Sequence, residues 1–107
     1  MAKKKHNVIL ADRADSMLIM HTKFLAQVSP NAAHRLLSEF KSVRQKLIED
    51  PLQFPFADEF DVPGIAYKTY RKCLFYGRYK AVIIIEDNDV YIDAVIDCRQ
   101  ENENIIL

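Results

Sequence analysis

The stretch 79-YKAVIIIEDNDVYIDAVIDC-98 decides how this chain folds. Apart from Lys80, Tyr79 to Ile85 is apolar at both parities and rich in β-branched side chains, the composition of a strand covered on both faces and so central in its sheet. Asp87-Asn88-Asp89 then has hairpin-turn chemistry, because short polar side chains bond their own backbone and tolerate left-handed dihedrals. In the next strand, predicted over 90–98, Val90, Ile92, Ala94, Ile96 and Cys98 alternate with Tyr91, Asp93, Val95, Asp97 and Arg99. With that parity unbroken, the first set faces the helices and Arg99 points away from them. Lys80 shares a face with Val82 and Ile84.

Working upstream, 70-YRKCLFYGRYK-80 places four basic side chains and four aromatic rings in eleven residues without an acid. It reads as the end of a strand over 66–76, a turn at Gly77-Arg78 and the start of the central strand. Before it, residues 51–65 hold Pro51, Pro55, Pro63 and Gly64 among Phe54, Phe56 and Phe60. Three phenylalanines seek burial, so this segment is expected to be an ordered loop rather than a flexible tether.

Two helices precede the loop. Asp12 stands where an N-cap belongs, with Asp15 three residues on in the manner of a capping box. Ala14, Leu18, His21, Leu25 and Val28 recur at spacings of four and three, widened by Met17 and Phe24, which predicts a helix over 13–28. Ser29-Pro30 restarts the helix, since serine caps and proline at the first position has no amide to leave unbonded. Ala33, Leu36, Leu37, Phe40, Val43 and Leu47 keep helical period until Pro51 forces an end. Joined so tightly, the two helices should form an antiparallel hairpin. His6 to Ala11 suits one short strand ahead of them. The fold class expected is therefore α+β, with the order β-α-α-β-β-β and a helical hairpin packed on a mainly antiparallel four-stranded sheet.

The chain has 107 residues, half of them apolar, which matches a single domain over residues 1–107. Fifteen basic and fifteen acidic residues cancel, so no whole-molecule field draws it to nucleic acid or anionic lipid. The charges nevertheless fall in blocks: Asp58, Glu59 and Asp61 in 51–64, only bases in 65–80, and seven acids against Arg99 from residue 81 onward. Val8 to Ala11 is too short for the core of a signal peptide, and no run approaches the roughly twenty apolar residues of a membrane span. Cys73 and Cys98 lack metal-like spacing and read as two reduced, buried thiols of a cytoplasmic protein.

Two glycines are too few for a phosphate loop or a dinucleotide fingerprint, and His6, His21 and His34 lack zinc spacing, so neither cofactor nor metal is expected. His21, in an apolar helical stripe, reads as a packed histidine. Asp93 and Asp97 read as solvated or as partners for nearby bases. What remains is the cluster Lys68, Tyr70, Arg71, Lys72, Tyr76, Arg78, Tyr79, Lys80 and Arg99. Cations interleaved with rings suit single-stranded nucleic acid, where bases stack on rings and phosphates meet cations. They suit an acidic protein partner equally.

Several strings in order resemble the RelE/ParE superfamily of bacterial type II toxins. They are the helical corner 29-SPNAA-33, the helix end 47-LIEDP-51, the Tyr-Arg-Lys beginning at Tyr70, the Tyr79-Lys80 where the family has Tyr-Arg, and 97-DCRQ-100 closing the last strand. The resemblance implies a cognate antitoxin that covers the toxin in a hetero-oligomer, and one of two activities. RelE-like members cut mRNA on the ribosome without a metal; ParE-like members poison DNA gyrase. For cleavage, the resemblance assigns Lys80 and Arg99 to the phosphate, supported by Arg71 and Tyr70, with Lys68, Lys72, Tyr76, Arg78 and Tyr79 as nucleic-acid or partner contacts. The chain departs from the RelE pattern at Lys80, which lacks arginine's bidentate fork. Ile105 stands where RelE-like members have a tyrosine, and the tail Glu101-Asn102-Glu103-Asn104 is acidic rather than basic. These departures favour the ParE-like reading over the nuclease, with an inactive toxin-fold binding module as a third.

Overall fold

The computed structural model describes residues 5–57 and 70–99. The order of elements is β1 (Asn7–Leu10), α1 (Asp12–Val28), α2 (Pro30–Glu49), a short 3-10 turn (Pro51–Gln53), β2 (Tyr70–Phe75), β3 (Tyr79–Glu86) and β4 (Asp89–Asp97). The fold is α+β, and the strands form one sheet in the order β1-β4-β3-β2. β1 runs parallel to β4, while β2 and β4 both run antiparallel to β3. β3 is buried from Tyr79 to Ile84, as its two-sided apolar composition requires. Lys68 and Phe60 lie outside the described residues, as does the tail from residue 100 onward.

The helical corner forms as its residues dictate. Ser29 ends α1 in extended conformation and caps α2, its hydroxyl accepting the Ala32 amide at 3.3 Å, and Pro30 opens α2. α2 then returns to the start of the chain: the His6 amide donates to the Ile48 carbonyl at 2.9 Å, and Arg44 reaches the Val8 carbonyl. α2 ends at Glu49, ahead of Pro51. The start of α1 differs from expectation. Ala11, not Asp12, is the N-cap, and no side chain caps it. β1 holds Ala11 extended, with its amide on the Ile92 carbonyl at 3.0 Å, so Asp12 becomes the first helical residue. Asp12 and Asp15 there act on the helix dipole as charges rather than as caps.

The core lies between the helices and one face of the sheet. Ala14, Leu18, Leu25, Leu36, Phe40, Val43 and Leu47 pack against Cys73, Phe75, Tyr79, Ala81, Ile83, Val90, Ile92 and Val95. A second cluster, Tyr70, Val82, Ile84, Ala94 and Ile96 with Ala57, occupies the opposite face. The membership of β4 in these two clusters overturns the unbroken alternation expected for that strand. Val82 pairs with Ala94, but Ile83 pairs with Ile92, so Asp93 is the extra residue of a β-bulge. Beyond it the faces exchange. Val95 and Asp97 turn toward the helices, and Ala94 and Ile96 turn away.

Three further expectations are corrected, and the burial of the loop phenylalanines, which the sequence leaves open, is decided for Phe56. Phe56 is exposed, because residues 55–57 run along the outer edge of β2 with Phe56 bridged to Arg71. Hydrogen bonds from Ala57 to the Tyr70 carbonyl (2.8 Å) and from Lys72 to the Pro55 carbonyl (3.0 Å) hold that edge. Cys98 is exposed in the turn after β4, not buried. Val28 and Leu37 continue the helical stripes in sequence, yet both are exposed, since the core uses a narrower arc than the sequence offers. The β2–β3 turn starts one residue earlier than Gly77, at Tyr76.

Candidate functional site

The β2–β3 turn orders the site. Tyr76 and Gly77 both have positive φ, 58° and 64°, a costly conformation for a tyrosine. It is held from α2: the Glu39 carboxylate accepts the Tyr76 amide at 3.1 Å, and the Arg35 guanidinium lies 5.3 Å above the Tyr76 ring. Arg35 and Glu39 pair at 3.3 Å along the helix. With the turn fixed, the next residue, Arg78, is aimed across β3 at the end of β4.

There the bulge has delivered Asp97. Arg78 donates Nε and Nη2 to Asp97 Oδ2 at 3.1 and 2.9 Å. The other carboxylate oxygen accepts the Arg99 amide at 3.0 Å and lies 3.6 Å from Arg99 Nε. The side chain of Asp97 is 7% exposed, that of Arg78 19% and that of Arg99 64%, so one buried carboxylate serves two guanidiniums of which the outer faces solvent. The Arg78 guanidinium also lies over the rings of Tyr79 (5.2 Å) and Phe24 (5.6 Å).

His21 closes the other side. β1 ends opposite Ile92, which leaves the following carbonyls of β4 on an edge. His21 Nε2–H donates to the Val95 carbonyl at 2.8 Å, because a carbonyl can only accept, and this fixes the tautomer of the neutral ring. Its ring stacks obliquely on Tyr79 with centroids 4.9 Å apart. Tyr79 is fully buried, and its hydroxyl has no hydrogen-bond partner among the described residues. Burial pushes the Tyr79 pKa up, an effect that Arg78 opposes.

Between α1 and the end of β4 these residues leave a groove of about 690 Å³. Met17, Met20 and Phe24 form its apolar wall; Arg78, Asp97 and Arg99 form its charged floor, with His21 beside them. Arg99 therefore lies on the α1 side, contrary to the expected orientation away from the helices, and the bulge at Asp93 is the reason.

The remaining sequence candidates are spread elsewhere. Lys80 is buried on the opposite face with Val82 and Ile84, as its parity indicates. Lys72 follows the same parity, paired with Val82. Tyr70 is buried in the second cluster. Arg71 donates to the Phe54 carbonyl at 2.7 Å, with its guanidinium 4.2 Å above the Phe56 ring. The sheet thus separates Lys80 from Arg99, and the two rings that were candidates for base stacking on β2 and β3, Tyr70 and Tyr79, are both buried. Tyr76 is half-buried at the turn.

Phe24, Met17 and Met20 were not singled out as site residues by the sequence; Met17 and Phe24 signalled only a widened apolar stripe on α1, and Met20 gave no signal. Cys73 is a packing thiol, with burial raising its pKa to about 12 and Lys46 opposing the shift. Among the described residues no group of three or more histidines, cysteines and acids could hold a metal, and no helix is long and apolar enough to cross a membrane. No protein-family model matches the chain, and no curated protein matches its sequence.

Proposed function

We propose that this chain is the toxin of a type II toxin–antitoxin pair of the RelE/ParE kind, in its ParE-like branch. It arrests growth by contact with DNA gyrase in the cytoplasm and is neutralised by a cognate antitoxin bound as a hetero-oligomer. The β-α-α-β-β-β order and the tight Ser29-Pro30 corner agree with the resemblance on which this reading rests.

The division of the cations by the sheet carries the choice between branches. Attack of a 2′-hydroxyl on its phosphate needs cations gathered around the developing charge, together with a base and an acid. Lys80 is buried on one face, Arg99 lies beside α1 on the other, and Arg71 is engaged by the Phe54 carbonyl. Such a layout favours action by protein contact over phosphate chemistry.

Induced expression of the chain without its genomic neighbour tests the proposal. Growth arrest with intact mRNA and broken chromosomes is expected, along with inhibition of purified gyrase in a supercoiling assay. Arrest accompanied by codon-phased mRNA cuts would assign the RelE-like nuclease, using Lys80, Arg99, Arg71 and Tyr70. Folded protein that causes no arrest would leave only a binding module.

A further inference from the structure

We infer that Met17, Met20 and His21 bind a soft monovalent metal ion, copper(I) by its chemistry, through two thioether sulfurs and one imidazole nitrogen. The proposed function does not use this site, and the inference holds whichever activity the chain has.

Spacing supplies the first argument. The three residues stand at i, i+3 and i+4 in 17-MLIMH-21 on α1, and all three line the groove between α1 and the end of β4. Residues three and four apart on a helix are neighbours, with Cβ atoms about 5–6 Å from one another. Both spacings bring two ligands to one ion in known metal sites, as in the His-Glu-x-x-His helix of zinc proteases and the Glu-x-x-His helices of di-iron bundles. Met17 is half-buried, but Met20 is 68% exposed, so core packing does not account for its place beside His21. With three rotatable bonds each, the two thioethers can turn toward an ion next to the ring.

His21 is held in the way a ligand is held. Its Nε2–H donates to the Val95 carbonyl at 2.8 Å, which leaves the lone pair on Nδ1. Nδ1 accepts no hydrogen bond from the described residues, and the ring lines the groove. A metal-bound imidazole characteristically donates its other N–H to a carbonyl or carboxylate, which sets the tautomer and raises the basicity of the ligating nitrogen. The oblique stack on Tyr79, 4.9 Å between centroids, fixes the ring plane as well.

Donor chemistry identifies the ion. Thioether sulfur is a soft ligand that selects copper(I), whereas hard ions require oxygen. All three donors are neutral and the Arg78 guanidinium lies in the same groove, which penalises a second positive charge on the ion. The two oxygens of Asp97 are engaged by Arg78 and by the Arg99 amide, so the carboxylate that a harder divalent ion would seek is committed to other partners.

The test titrates the full chain, labelled with ¹³C at the methionine methyls and carrying Cys98→Ser, with silver(I) nitrate in chloride-free buffer. Silver(I) stands in for copper(I) without redox chemistry, and the serine removes an exposed thiol that would compete for the ion. Saturable shifts of the Met17 and Met20 methyls are expected, with the Met1 methyl unmoved, and copper(I) supplied anaerobically should move the same two signals. Affinity should fall at least about tenfold in Met17→Leu, in Met20→Leu and in His21→Gln, which keeps an N–H for the Val95 carbonyl but loses the imidazole lone pair. An unchanged amide spectrum of each variant away from the groove establishes that it is folded. Zinc(II) should move neither methyl. No shift at saturating silver(I) or copper(I), undiminished affinity in the three variants, or an equal response to zinc(II) overturns the inference. Silver(I) binding that disappears with Cys98→Ser would also overturn it, assigning the ion to the thiol.

Discussion

Arg78 and Asp97 meet through two hydrogen bonds to a single oxygen, 2.9 and 3.1 Å long, at a point where both side chains are largely shielded from water. They are nineteen residues apart and meet at the open end of the β3–β4 hairpin, Arg78 just before β3 and Asp97 at the end of β4, so their contact fastens the β2–β3 turn to the end of β4. The Cys98 amide on the Arg78 carbonyl, at 2.7 Å, reinforces the same junction.

Removing the carboxylate should therefore destabilise the fold. Asp97→Asn leaves the Arg78 guanidinium without its counter-charge, at a cost of about 2–3 kcal/mol, below the range of about 3–5 kcal/mol for a fully buried pair because Arg78 keeps some solvent contact. Arg78→Met in the same chain should recover part of that loss, since it removes the stranded charge and keeps the apolar contact with Phe24. Urea unfolding of the two single variants and the double variant measures the coupling. Strict additivity would show that the pair contributes nothing to stability.

Features governed by local chemistry were legible in the sequence, among them the central position of β3, the Ser29-Pro30 corner and the stop before Pro51. Asp97 was legible as a partner for bases. The orientation of the site was not. β4 is buried on both faces beyond Asp93, so Val95 and Ile96 are equally apolar and nothing in their order reveals a change of face. Phe56 reads as a core residue by type, and its place under the Arg71 guanidinium depends on a segment pairing with β2 from outside the hairpin. Phe24 reads the same way, but it stands exposed on the wall of the groove between α1 and the end of β4.

The bulge makes a sharper claim. Deleting Asp93 restores simple alternation and must turn either Val90 and Ile92 or Val95 and Asp97 off the helix-facing side. A one-residue slip exchanges faces for every residue beyond it. The deletion should cost at least about 3 kcal/mol, as loss of several buried side chains does, whereas Asp93→Asn keeps the extra residue and should cost less than about 1 kcal/mol. Thermal unfolding of both variants checks this. A deletion as mild as the substitution would mean that the bulge does not set the faces.

His21 gives a local test of edge protection. His21→Leu keeps the bulk against Tyr79 but leaves the Val95 carbonyl without its donor, a loss of about 1 kcal/mol, the low end for an unsatisfied acceptor because the bond is only part-buried. Gln at this position retains an N–H that can reach the same oxygen, so His21→Gln should recover part of the loss. Equal stability of the leucine and glutamine variants, measured by urea midpoints, would remove the hydrogen bond from the account.

The two thiols should separate in both reactivity and pH dependence. Cys98 is exposed and Cys73 buried, so a thiol-specific reagent should modify Cys98 readily and reach Cys73 only on unfolding. The same burial creates an alkaline instability. In the folded chain the Cys73 pKa is raised from 9.0 to about 12, so between those values the unfolded chain releases a proton that the folded chain retains. The stabilising contribution is whole below pH 9 and is lost as the pH rises toward 12, with a limiting slope of about 1.4 kcal/mol per pH unit. Tyr79, also shifted upward, adds to the loss at the upper end of the window. Cys73→Ala removes the thiol, so its unfolding free energy should fall less steeply between pH 9 and 10.5, starting from a lower value because of the cavity left behind. Parallel pH profiles for the native chain and the alanine variant would show that folding does not raise the Cys73 pKa.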